Sequence, residues 1–328
     1  GLYPLEQRIA DKRRGIGVQK RPYLVYALTL AMLCVLIYEL VVNDKAQGTP
    51  VSFKVRPSES ALINLGARFP ACMKNVSAIP LTTQFACLND TANPVTEACP
   101  LEDICGFGGF HDETPNQTFR FVTPVFLHAG IIHYLLNMLA QMTVSAQVER
   151  EMGSIFFIVL YMASGIFGRV NVLGGNFALV GLPSVGASGA IFGTTAIAWI
   201  DLLAHWRYHP RPGTRLAWLI VELIVGIGLG FIPSHLGGLL MGLLMGMAFY
   251  PIISPSTRHR AIVIGFRLAA IPIAIVLFVV LIRNFYKSDP YAACTWCRYL
   301  SCIPTSANDH CQGYVRLLFS YLMTYSLF

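Results

Sequence analysis

Apolar residues gather in seven long stretches, over residues 23–42, 121–144, 154–173, 185–203, 216–232, 235–253 and 262–282. A helix rises 1.5 Å per residue, so roughly 20 apolar residues cross the hydrocarbon core of a bilayer. None of the stretches alternates with period two. In lipid the backbone must satisfy its own hydrogen bonds, which leaves helices as the only solution. The pattern predicts an all-α polytopic membrane protein with seven spans.

Composition agrees. Hydrophobic residues are 55% and charged residues 12% of the 328, and the mean hydropathy is +0.56. A soluble domain carries about twice that charged fraction. The net charge of +7 comes from basic residues at span ends rather than on one soluble face, so it gives no reason to expect a nucleic-acid partner. Arg8, Lys12, Arg13, Arg14, Lys20 and Arg21 precede the first span and mark residues 1–22 as a cytosolic tail by the positive-inside rule. No cleavable leader is visible, so the first span is expected to act as its own anchor. Alternation places Arg207, Arg211, Arg215, Arg258 and Arg260 on the cytosolic side as well.

With seven spans, the loop over 43–120 and the tail over 284–328 fall on the opposite side. Cys72, Cys87, Cys99 and Cys105 lie in that loop. Cys294, Cys297, Cys302 and Cys311 lie in that tail, and the ninth cysteine, Cys34, is inside the first span. This distribution suits an oxidising compartment and disulfides, with pairing left open and some bridges expected to join loop to tail. A zinc site at Cys294 and Cys297 is the alternative for that pair. Glycosylation sequons occur at Asn75, Asn89 and Asn116, all in the same loop. Together these features predict a membrane of the eukaryotic secretory pathway (Golgi, endosomal or plasma membrane), with the N-terminus cytosolic and the C-terminus lumenal or extracellular.

Polar residues inside spans are costly and usually face a bundle interior or a water-filled cavity. The second span reads FVTPVFLHAGIIHYLLNMLAQM, with His133 and Asn137 four apart on one helical face and His128 nearer the outer end. His235 opens the sixth span and Ser188 stands near the outer end of the fourth. All of these fall in outer halves, at similar depth. Gly189 and Gly193 on the fourth span, and Gly238, Gly242 and Gly246 on the sixth, form rows that let helix backbones approach closely. A contact through those rows would bring His235 to Ser188. Helix packing alone accounts for the glycines but not for a histidine set in the same seam.

A serine hydroxyl needs a base to become a nucleophile, and His235 is the candidate. The oxyanion formed on attack needs donors, which His133, Asn137 and the Ser188 backbone N–H can supply. Asp201 stands thirteen residues past Ser188, too deep to orient His235, so the expectation is a Ser–His dyad. Phe192, four residues after Ser188, is placed to stack on the imidazole. The soluble-hydrolase elbow fits poorly, because Ala190 stands where its last glycine should be and the flanks are apolar spans. No metal or organic cofactor is called for.

RFVTPVFLHAGIIHYLLNM, VGASGAIFG and SHLGGLLMG, in that order, resemble the rhomboid intramembrane serine proteases, in particular the eukaryotic secretase type. SESALINLGARFPACMK in the first loop is also similar to eukaryotic members. The resemblance implies a six-helix catalytic core over 23–254 that includes the loop 43–120. A cytosolic loop and seventh helix follow over 255–283, then the cysteine-containing tail, whose last apolar stretch is expected at the interface. It implies Ser188 as nucleophile, His235 as base, and His133 and Asn137 at the oxyanion hole. Gly186 belongs to the serine motif, His128 has a supporting role, and Glu149 and Gly153 form a structural turn. The implied substrates are single-pass transmembrane proteins cut within or beside their spans, in a lipid bilayer. The oligomeric state stays open. The rival reading is a non-catalytic rhomboid-like protein that binds and routes membrane clients.

Overall fold

The computed structural model describes residues 5–13, 17–48, 56–77, 79–90, 96–110, 114–170, 181, 183–229 and 232–287. The cysteine-containing tail, with Cys294, Cys297, Cys302 and Cys311, lies outside the described residues. In chain order the helices are α1 (Leu5–Arg13), α2 (Tyr23–Ala46), α3 (Glu59–Asn64), α4 (Leu101–Cys105), α5 (Ile131–Ala140), α6 (Ala146–Met152), α7 (Ser154–Val170), α8 (Ser188–Ala204), α9 (Pro212–Leu229), α10 (Ile232–Phe249) and α11 (Thr257–Lys287). A two-stranded antiparallel ribbon, β1 (Gln84–Ala86) and β2 (Ala98–Pro100), lies between α3 and α4.

Each of the seven apolar stretches carries a helix. Two of these helices, α2 and α11, are long and apolar enough on their own to cross a membrane. They expose large apolar side chains that water would not tolerate in such density, among them Leu30, Leu33 and Ile37 on α2 and Phe266, Leu268 and Val276 on α11. This is a helical polytopic membrane fold. The second stretch differs from the expectation. Residues 118–125 form two short 3₁₀ turns, and the helix starts only at Ile131. Pro124 and Gly130, the latter at φ +127°, account for the delay, and His128 therefore precedes the helix. The helix then runs over 131–152 through a π turn at Gln141–Ser145.

The chain forms two compact units. The first comprises Gly1–Leu30, Asn137–Gly168 and Ser188–Ile282. Within it, Glu149 is fully buried, and its carboxylate accepts from the backbone N–H groups of Leu24 (2.9 Å) and Val25 (2.7 Å). Those N–H groups belong to the first turn of α2 and have no partner inside that helix, so Glu149 caps it. Gly153, at φ +84°, makes the sharp turn from α6 into α7, as the sequence led us to expect of this pair.

In the same unit α8 and α10 meet along their glycines. A Cβ on Gly238 would lie 1.9 Å from the carbonyl oxygen of Gly189, and one on Gly242 would lie 2.3 Å from that of Gly193. Only hydrogen fits at these positions.

The second unit comprises Ala31–Leu136, Arg169–Ala187 and Arg283–Phe328. Its loop region packs Phe69, Ile79, Phe85, Leu101 and Ile104 around the disulfides Cys72–Cys105 and Cys87–Cys99. All four loop cysteines are consumed there, so the expected bridge from loop to tail does not form. Arg120 is completely buried and donates to the carbonyls of Ile63 (2.7 Å), Ala67 (2.7 Å) and Cys105, and to Gln117 Oε1 (2.7 Å). It thus satisfies carbonyls at the ends of both α3 and α4. Burial pushes its guanidinium down to about 9, which leaves it charged at neutral pH.

Candidate active site

Ser188 is the first residue of α8. The chain reaches it through a tightly held approach. Ser184 exchanges backbone hydrogen bonds with Arg68, both at 3.0 Å, and the Gly186 N–H donates to the Pro124 carbonyl at 2.8 Å. Gly186 has φ +110°, a conformation that glycine adopts without strain. The glycine two residues before Ser188 therefore answers a backbone requirement at Gly186. Ser188 is half-buried at the helix N-terminus, where unpaired N–H groups and the helix dipole favour negative charge.

His235 lies in the first turn of α10 and is buried. Its imidazole stacks on the ring of Phe192, with centroids 4.2 Å apart and planes 8° from parallel. Phe192 stands one turn after Ser188 on α8, so the stack ties the imidazole to the helix face that follows the serine. The backbone seam agrees. A Cβ on Gly189, the residue after Ser188, would touch Ser234, the residue before His235, at 3.4 Å. His235 Nδ1 is 2.9 Å from the carbonyl oxygen of Gly226 on α9. The sequence offered no pointer to Gly226, because a backbone carbonyl carries no residue signature.

Asn137, buried, shares this unit with Ser188 and His235. His133 is one turn earlier on α5, in the other unit, on the same helical face. His133 Nδ1 accepts from the Ala129 N–H at 3.2 Å. An accepting Nδ1 carries no proton, so the neutral ring bears its hydrogen on Nε2 and is a donor there. His128 is fully buried, its N–H is 3.1 Å from the Glu39 carboxylate, and its ring meets that of His133 edge-on at 5.5 Å. His128 thus orders the turn that leads into α5.

Asp201 belongs elsewhere. Thirteen residues along α8 is about 20 Å of axial rise from Ser188. There Asp201 bonds His205 (2.8 Å) and the Tyr250 hydroxyl (2.7 Å), with His209 Nε2 at 3.2 Å and Arg215 at 3.6 Å from its other oxygen. The Ile253 N–H donates to His205 Nε2 at 2.9 Å, so His205 is neutral with its proton directed at Asp201. The i,i+4 spacing of Asp201 and His205 is readable in the sequence, and the structure realises it as a hydrogen bond. Asn75, Asn89 and Asn116 are all exposed in the loop region of the second unit.

A Rhomboid domain model matches residues 115–252, a range that takes in Ser188, His235, His133 and Asn137. The chain is 33% identical to Rhomboid-type serine protease 2 of Emericella nidulans, over 93% of this chain and 75% of that protein. It is 31% identical to RHOMBOID-like protein 1 of Arabidopsis thaliana, over 60% of this chain and 58% of the relative. It is also 28% identical to Inactive rhomboid protein 1 of Rattus norvegicus, over 75% of this chain but only 29% of the relative. The order of the three motifs, the helical membrane fold and these relatives agree: the chain belongs to the rhomboid family.

Proposed function

We propose that this chain is an intramembrane serine endopeptidase that cuts single-pass transmembrane proteins within or beside their membrane-spanning segment. In this reading Ser188 attacks the peptide carbonyl and His235 takes its proton. Nε2–H of His133, the Asn137 amide and the Ser188 N–H stabilise the oxyanion. The observation that carries it is the imidazole of His235 stacked on Phe192 one turn from Ser188, across a seam that admits only glycine. A helix interior needs neither a buried stacked imidazole nor a nucleophile at its N-terminus.

The arrangement we propose is a six-helix core over 23–254 with α11 as a seventh span, the N-terminus cytosolic and the loop region lumenal. The exposed Asn75, Asn89 and Asn116 and the two disulfides suit that side. Substrates that unwind readily near the lumenal boundary fit best, because a helical amide is shielded from attack. The alternative, a non-catalytic protein that routes membrane clients, draws on the similarity to relatives named inactive. Retention of both Ser188 and His235 favours the catalytic reading.

The test is cleavage of a model single-pass substrate in liposomes. Ser188→Ala and His235→Ala should each abolish it, and the double variant should lose no more than either single one, because the two residues act as a unit. Cleavage by Ser188→Ala would refute the proposal.

A further inference from the structure

A base that accepts a hydroxyl proton at Nε2 must be unprotonated there. In water a neutral imidazole favours the opposite form, with its hydrogen on Nε2. Serine hydrolases built as triads use a carboxylate to hold the proton on Nδ1. The described residues place no carboxylate at His235 Nδ1. What stands there is the Gly226 carbonyl oxygen, at 2.9 Å. A carbonyl oxygen can only accept, so Nδ1 must carry the proton and Nε2 is left with its lone pair.

Gly226 meets the site a second time. A Cβ at this position would lie 2.3 Å from Cζ and 2.9 Å from Cε2 of Phe192. The same ring stacks on His235. The backbone of Gly226 is therefore packed against the back of the Phe192–His235 stack while its carbonyl holds the imidazole edge. One residue fixes two degrees of freedom of the base, its tilt and its tautomer. The contact on His133 Nδ1 is of the opposite kind: a backbone N–H donates to it, which puts the ring hydrogen on Nε2.

We infer that Gly226 on α9 is a positioning element of the site: its backbone carbonyl holds His235 in the Nδ1–H tautomer, the form able to take the Ser188 proton. This rests on the proposed function for its catalytic meaning, but the tautomer itself does not. Proton placement at His235 then depends on where α9 sits. A displacement of α9 that lengthens this hydrogen bond would release the base without touching Ser188 or His235.

The experiment is ¹⁵N NMR of histidine-labelled full-length protein in detergent, with His235 and His133 assigned by His235→Gln and His133→Gln. Above the pH at which the rings protonate, His235 should show a protonated Nδ1 and a bare Nε2, and His133 the reverse. A His235 signal with the proton on Nε2 overturns the inference. In Gly226→Ala the His235 ratio should move toward the Nε2–H form. Its kcat should fall by about 10²-fold, the lower end of what general-base catalysis supplies, with KM within about twofold. An unchanged tautomer in folded Gly226→Ala also overturns it. Should that variant fail to fold, the spectrum of the wild-type protein decides alone. Activity surviving in Ser188→Ala would instead refute the protease reading and leave the tautomer assignment standing.

Discussion

Gly238→Ala adds one methyl group to the face of α10 that meets α8. Its Cβ would stand 1.9 Å from the Gly189 carbonyl oxygen, where ordinary contact begins near 3.4 Å, so the helices must part by about 1.5 Å or tilt. Gly189 follows Ser188 directly and Gly238 is three residues past His235, so the opening falls between Ser188 and His235, the proposed nucleophile and base. A misplacement of about 1 Å costs on the order of 10² in rate, or about 3 kcal/mol of transition-state stabilisation. We expect Gly238→Ala to lower kcat by at least that factor. Its helical content should stay near that of the wild type, because overpacking costs about 1–3 kcal/mol and the neighbouring glycine contacts remain. Gly265→Ala is the control: nothing lies within 4 Å of its added Cβ, and activity should not change. The assay is cleavage of a single-pass substrate in proteoliposomes, with circular dichroism on the same preparations. Near-wild-type kcat in Gly238→Ala would show that the α8–α10 seam does not set the catalytic geometry.

Glu149→Ala should lower thermal stability by the cost of a lost helix cap, about 0.5–2 kcal/mol, plus that of two unpaired N–H donors at α2. A melting curve that overlays the wild type would refute the capping role. Asp201→Asn should keep kcat within about threefold while lowering the melting temperature, because its partners are His205, His209, Tyr250 and Arg215 rather than His235; loss of kcat in folded protein would restore Asp201 to the catalytic unit. Protein from a eukaryotic host should shift in mobility on glycosidase treatment through Asn75, Asn89 or Asn116. Non-reducing peptide mapping of the same protein should recover the Cys72–Cys105 and Cys87–Cys99 pairs. Absence of any shift would count against glycan use, free thiols at those four positions would contradict an oxidising compartment, and protease access to the loop from the cytosolic side would contradict a lumenal loop.

Much of this was readable beforehand because hydrophobic length and small-residue spacing are local properties. The glycine rows on α8 and α10 announced their contact, since no other residue allows backbones that close in lipid. Phe192 followed from i,i+4 spacing, and Glu149 and Gly153 from motif resemblance. The late start of α5 was missed because residues 121–130 are mostly apolar and read as continuous with the helix, although Pro124 and Gly130, which delay it, stand in the sequence. Arg120 escaped notice because its role is to collect carbonyls from Ile63, Ala67 and Cys105, which lie far from it in sequence. Gly226 escaped for the same reason, as its contribution is a carbonyl that every residue has.

The central claim is that Ser188 is a nucleophile activated by His235. It is tested most directly by labelling with a fluorophosphonate serine probe, read alongside substrate cleavage on the same folded preparations. The wild-type chain should label stoichiometrically and cleave, while Ser188→Ala and His235→Ala should do neither. A folded wild-type chain that neither labels nor cleaves, or a Ser188→Ala chain that still cleaves, would contradict it.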